Sequence, residues 1–267
     1  MNTLRLTEMF GLDGKVAVVT DSGALSSVDV APVLADAGAT VVIADRDAAS
    51  AAALAERIVA AGGRAQAIAT DIEDEAQVKA LFAQVGARYG HLDILVNCAG
   101  ATANQPLLET TTELFDAMLS VNLRSVFWCM REAVRLMLDN GGGRIVNITT
   151  MGALHPVLHG NQAYGSARAG VTMLTKTTAM DHAKDGILAN VVMPGAIGGK
   201  VRFHDQTRQA MAAGYQLSGP AVDAQRRLPL GMGSGADIAS AVLYLAGPAG
   251  RYITGQAIVL DGGFLSA

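Results

Sequence analysis

A chain of 267 residues, half of them hydrophobic and only 16% charged, has the material for one large buried core. A net charge of −4 at pH 7 argues against a nucleic-acid or anionic-membrane surface. Cys98 and Cys129 both sit in apolar stretches without metal-ligand spacing, so neither a disulfide framework nor a metal site is expected. The first residues lack a basic start followed by a long apolar run, and the longest apolar stretches are strand-length. The expectation is a soluble cytoplasmic protein.

Along the chain, short β-branched runs alternate with longer helical stretches. Strands are predicted at residues 16–20, 40–44, 65–69, 94–96, 144–149, 188–193 and 257–260. Each is apolar throughout, as parallel strands covered on both faces require. Helices are predicted at residues 29–37, 48–61, 74–89, 111–138, 162–185 and 236–246. This alternation predicts α/β architecture: a single Rossmann-like domain over 1–267, with a doubly wound, seven-stranded parallel sheet and helices on both faces. Residues 198–235 break the rhythm and are too long for an ordinary connection. They read as a helical lid over a pocket, carrying Phe203, His204, Met211, Tyr215 and Leu217.

The strand ends carry the informative residues. Thr20-Asp21-Ser22-Gly23-Ala24-Leu25-Ser26-Ser27 follows the first strand, Asp45-Arg46 ends the second, and Asp71-Ile72 follows the third. Asn97-Cys98-Ala99-Gly100 closes the fourth, and Val121-Asn122-Leu123 lies within the next helix. Asn147-Ile148-Thr149-Thr150 ends the fifth strand, with Tyr164-Gly165-Ser166-Ala167-Arg168 in the helix after it. Tyr164 and Arg168, four apart, share one helical face. Met193-Pro194-Gly195 ends the sixth strand, and Asp261-Gly262-Gly263 follows the last.

In this order and spacing the motifs resemble the short-chain dehydrogenase/reductase family. The resemblance spans nearly the whole chain. It implies a bound nicotinamide dinucleotide and hydride transfer to or from a secondary alcohol or ketone; Phe203, Met211, Tyr215 and Leu217 of the lid segment point to an apolar group on the substrate. Carried over residue by residue, it assigns Tyr164, Arg168, Thr150 and Asn122 to catalysis. It assigns Thr20, Asp45, Asp71, Ile72, Asn97, Ala99, Gly100, Pro194, Gly195 and Ile197 to the cofactor, and no residue to a metal. Asp45 stands where an acid meets the ribose 2′-hydroxyl and favours NAD, a preference that Arg46 softens. The resemblance also implies assembly through helices 111–138 and 162–185 and the last strand, as a homodimer or homotetramer, or as a hetero-oligomer with a paralogue.

The chain departs from the family at the sites that matter most. Asp21, Leu25 and Ser27 occupy the three glycine positions of the loop that cradles the pyrophosphate. Those glycines allow a tight turn, close backbone approach and close helix–strand packing. Pro32 fits only a first helical turn, so the helix is expected to start near Asp29, with Asp29 as its cap. Arg168 replaces lysine, Thr150 replaces serine, and Gly199 stands where a threonine often contacts the carboxamide. Three readings stay open: an oxidoreductase with an altered cofactor loop; a non-catalytic subunit supporting an active paralogue; and a dinucleotide-free Tyr–Arg enzyme resembling the halohydrin dehalogenases. His155, His159 and Gln162 precede Tyr164 on a loop expected to face substrate.

Overall fold

Seven short apolar runs pair side by side in one parallel sheet. The computed structural model describes residues 5–20, 29–198, 202–222 and 228–266. The strands are β1 (Val16–Thr20), β2 (Thr40–Asp45), β3 (Arg64–Ala69), β4 (Ile94–Asn97), β5 (Gly143–Ile148), β6 (Ile187–Pro194) and β7 (Ala257–Leu260). Their order is β3-β2-β1-β4-β5-β6-β7, and every neighbouring pair is parallel. The chain winds outward from β1 to β3 and then returns to β4 on the other side. A crevice therefore opens beyond the C-terminal ends of β1 and β4, where ligands of doubly wound sheets bind.

Helices cover both faces: α1 (Leu6–Phe10), α2 (Val30–Asp36), α3 (Ala48–Ala60), α4 (Glu75–Tyr89), α5 (Thr112–Leu119), α6 (Ser125–Asp139), α7 (Gln162–His182), α8 (Asp205–Ala212) and α9 (Gly235–Ala246). Alternate strand residues feed two cores. Ala17, Val19, Val41, Ile43 and Val96 pack with α2, α3 and α9, whereas Val16, Val18, Val42 and Leu95 pack with α4, α6 and α7. Helix starts follow from side chains. Asp47 and Asp74 accept main-chain N–H groups at the heads of α3 and α4, and Thr111 does so for α5.

Some sequence expectations shift. The continuous helix expected over 111–138 is α5 and α6 joined by a π-helical turn, Ser120–Arg124. The helix expected over 162–185 is α7 closed by a 3-10 turn, Ala183–Asp185. Helix α1 was not expected. Helix α2 starts at Val30 with Pro32 in its first turn, but Asp29 makes no side-chain capping bond. Among the described residues, no helix is long and apolar enough to cross a membrane.

Candidate active site

The site forms where β4 and β5 end against α7. Helix α7 places Tyr164 and Arg168 one turn apart. Arg168 is only 3% exposed. Its Nη2 donates to the Ala99 carbonyl at 2.7 Å and its Nη1 to the Ile148 carbonyl at 3.2 Å. The guanidinium thus joins the ends of two neighbouring strands. Its Cζ lies 5.4 Å from the centroid of the Tyr164 ring, within cation–π range. Its Nε is buried without a partner among the described residues. Gly100 makes the room: a Cβ there would lie 1.7 Å from Arg168 Nη2 and 3.1 Å from Asn122 Oδ1.

Asn122 is fully buried in the π-helical turn, a distortion frequent at functional sites. Its Nδ2 donates to the carbonyls of Ala101 (2.9 Å) and Met118 (3.0 Å), and its Oδ1 accepts the Ala101 N–H (3.2 Å). The side chain is spent holding the backbone after Gly100. Tyr164 is half-buried against Ala101, Leu114, Met118 and Val121. Thr150 heads the 3-10 turn Met151–Ala153, where its Oγ1 accepts the Gly152 N–H at 3.1 Å. A hydroxyl that accepts in this way keeps its own hydrogen to donate elsewhere. A Cβ on Gly165 would lie 3.7 Å from the Gly152 carbonyl oxygen, so this turn rests beside the first turn of α7.

The remaining assigned residues divide between lining and support. Asp45, Asp71, Ile72 and Ala99 line one small pocket together with Ala44, Arg46, Thr70, Val121 and Arg202. Asp45 Oδ1 accepts the Asp47 N–H at 2.8 Å, and Arg46 pairs with Glu73 (2.6 Å) and Asp71 (3.3 Å). Gly195, just after Pro194 at the end of β6, donates its N–H to Leu260 at 2.7 Å. A Cβ on it would lie 2.9 Å from Met151 Sδ, which seats this corner on the Thr150 turn. Asn97, Thr20 and Ile197 serve as ties. Asn97 Nδ2 donates to Asn147 Oδ1 at 2.8 Å, and Asn147 Nδ2 donates to Thr175 Oγ1 at 2.8 Å. Thr20 Oγ1 accepts the Cys98 N–H at 3.3 Å, and Ile197 bridges to Gly233. Asp21, Leu25, Ser27 and Gly199 lie outside the described residues.

The residues around Tyr164 and Thr150 find partners that a sequence reading does not supply. Asn161 Nδ2 reaches Thr102 Oγ1 (2.9 Å) and the Ala103 carbonyl (3.2 Å), fastening the start of α7 to the chain beyond β4. Gln162, expected to face substrate, instead donates to the Gln105 carbonyl (2.8 Å) and Thr110 Oγ1 (2.7 Å). His155 is exposed, and His159 Nδ1 lies 3.1 Å from Ser218 Oγ. Thr149 is buried with its Oγ1 unpartnered among the described residues. Only their positions before a helix or after a strand hinted at a role.

A cavity of about 380 Å³, lined by Lys15, Asp93, Arg144 and Arg251 among others, lies at the N-terminal ends of β1, β4 and β5, the opposite end of the strands. None of the assigned residues lines it. Among the described residues, no group of three or more His, Cys, Asp or Glu is placed to hold a metal ion.

Comparison with known proteins adds three findings. Residues 27–265 match the family model described as enoyl-(acyl carrier protein) reductase. An uncharacterised oxidoreductase of Mycobacterium tuberculosis is 37% identical over 262 residues, covering 97% of this chain and 95% of the relative. Two solved structures superpose with a TM-score of 0.86. One is a 7α-hydroxysteroid dehydrogenase complexed with NADH and 7-oxo glycochenodeoxycholic acid (30% identity; 97% of this chain, 98% of that one). The other is a gluconate 5-dehydrogenase from Burkholderia cenocepacia in complex with NADP and tartrate (32% identity; 98% of this chain, 100% of that one).

Proposed function

The chain belongs to the short-chain dehydrogenase/reductase family, and from that premise we propose that it is an oxidoreductase moving a hydride between a nicotinamide dinucleotide, NAD(H), and a secondary alcohol or ketone, with Tyr164 as acid/base. The observation that carries this reading is the grouping of Tyr164, Arg168, Asn122 and Gly100 around the ends of β4 and β5. Retained solely for packing, Arg168 would not need a buried Nε that finds no partner among the described residues.

The residues fit a dinucleotide on two counts. The Asp45–Asp71–Ile72–Ala99 pocket has the acidic and apolar walls that a ribose and an adenine require. Arg168 Nε is buried without a partner among the described residues, and a hydroxyl of the bound ribose is an acceptor it would take. The cofactor, when bound, supplies or accepts the hydride. Ala99, Gly100, Pro194 and Gly195 would form its walls, with Asn97, Thr20 and Ile197 holding them from behind.

The chain's own chemistry then divides as follows. Tyr164 gives or takes the proton at the substrate oxygen. Thr150 donates its O–H to the same oxygen while the Gly152 N–H fixes its rotamer. Arg168 keeps Tyr164 in place from the ring face and relays no proton, since a guanidinium stays charged. Asn122 holds the chain after Gly100.

The described residues 202–222 and 228–235 would act as a lid, and Phe203, Met211, Tyr215 and Leu217 favour a substrate with an apolar group. Exposed Phe127 on α6 and exposed Met173 and Met180 on α7 favour assembly through these helices. The two buried free thiols favour the reducing cytoplasm.

The test is turnover of a panel of secondary alcohols with NAD or NADP, followed by nicotinamide absorbance. Tyr164→Phe should fold as the parent does and lose about 10²–10⁴-fold in kcat, the usual worth of a positioned acid/base. Full activity in the phenylalanine variant would overturn the assignment.

A further inference from the structure

The cavity at the N-terminal ends of β1, β4 and β5 carries an excess of positive charge. Lys15, Arg144 and Arg251 line it against one carboxylate, Asp93. That carboxylate is buried and already committed. It accepts from Lys15 Nζ and from the Val16 N–H, each at 2.9 Å, and His91 Nε2 lies 3.2 Å away. Leu12, Ile94, Ala246 and Pro248 add apolar wall. The main-chain N–H groups of Gly141, Gly142, Gly143 and Gly247 all donate to carbonyls of the protein, so side chains set the chemistry here.

Arg144 is the cation whose needs the fold leaves unmet. Its Nη1 donates to the carbonyls of Gly143 (3.0 Å) and Gly186 (3.3 Å), both neutral acceptors. Its Nε is buried without a partner among the described residues. Asp93 acts on it only through its field, because the carboxylate oxygens are bonded elsewhere. Burial therefore holds this guanidinium below its ordinary pKa in spite of that charge. A cation taken out of water calls for an anionic partner. The loops around it are seated closely. A Cβ on Gly142 would lie 2.7 Å from the Gly186 carbonyl oxygen, and one on Gly186 would lie 2.9 Å from that of Gly141. This approach brings both acceptor carbonyls within reach of one nitrogen.

We propose that this cavity binds a small organic anion, a carboxylate or phosphate carried on a short apolar body. Arg144 and Arg251 take the oxyanion, and Leu12, Ile94, Ala246 and Pro248 receive the body. A guanidinium suits this task because its planar fork meets two oxygens at once. Arg251 is exposed and meets the anion at the mouth. Arg144 turns toward it, exchanging neutral carbonyls for charged oxygens and giving its Nε a partner. The volume of about 380 Å³ is that of a small-molecule site. Strands β1 and β4, of five and four residues, set the cavity about 15 Å from the crevice at their other ends. The ligand is therefore neither substrate nor cofactor, and the proposal is independent of the oxidoreductase reading.

The test is calorimetric titration of the purified full chain with hexanoate, hexyl phosphate, acetate and hexanol, repeated on Arg251→Met and Arg144→Met. Hexanoate or hexyl phosphate should bind the parent saturably, with Kd below about 1 mM. Acetate lacks the apolar body and hexanol the charge, so each should bind at least about tenfold more weakly. Arg251→Met should weaken the tighter probe about tenfold, the worth of one charge-assisted hydrogen bond, and Arg144→Met by at least as much. Should Arg144→Met fail to fold, Arg251→Met decides, since Arg251 is exposed and outside both cores. Lack of saturable binding by both hexanoate and hexyl phosphate overturns the proposal. So does hexanol or acetate binding as tightly as they do, or binding undiminished in Arg251→Met.

Discussion

Substituting Gly100 by alanine perturbs the site at its tightest point. Gly100 is not among the residues with positive φ, so its backbone would accept a side chain. Elsewhere such a change stabilises by about 0.4–1 kcal/mol through the unfolded chain. Here the new methyl would lie 1.7 Å from Arg168 Nη2, so the guanidinium must leave. Leaving breaks its bonds to Ala99 and Ile148. Hydrogen bonds to a charged group are worth about 1.5–3 kcal/mol each, so the net loss expected is about 2–5 kcal/mol. In a domain of this size that lowers the melting temperature by about 5–15 °C. Urea denaturation of Gly100→Ala, Arg168→Met and the double variant measures it. In the Arg168→Met background the alanine should cost little, because the clash is gone, giving a coupling of at least about 1 kcal/mol. A Gly100→Ala variant as stable as the parent, or equally destabilised in both backgrounds, would refute the placement of Arg168.

Thr150→Ser should keep turnover, whereas Thr150→Val should lose about 10²–10³-fold in kcat, the scale of one lost donor to a developing oxyanion. Asn122→Ala removes the buried hydrogen bonds of its amide to Ala101 and Met118; denaturation should show a loss of about 2–4 kcal/mol, together with loss of activity as the chain after Gly100 relaxes. Burial, reinforced by the nearby Glu132 charge, pushes the Cys129 thiol up to about 12. It therefore stays protonated at mildly alkaline pH, and a thiol-reactive dye should leave Cys129 and the equally buried Cys98 unlabelled until urea unfolds the chain.

Much of the sheet was legible because each strand is a short apolar run covered on both faces, and apolar patterning reports that directly. The break between α5 and α6 was not legible, because hydrophobic periodicity continues through a π-helical turn that adds one residue to a single turn. Helix α1 was missed because it buries no residue fully and so leaves no periodic stripe. At the site, residue types were legible but their partners were not. Tyr164 and Arg168 follow from their spacing. That Arg168 would bond two strand-end carbonyls, and that Asn122 and Asn97 would spend their amides on the protein itself, depends on strand ends far apart in sequence.

The most direct measurement is a fluorescence titration of the purified chain with NADH and NADPH. Saturable binding in the micromolar range, abolished by competing adenosine 2′,5′-bisphosphate, is the result expected of an oxidoreductase with this site. No binding of either dinucleotide at millimolar concentration would contradict it, and would turn the Tyr164–Arg168 pair over to a non-catalytic subunit or to dinucleotide-free chemistry.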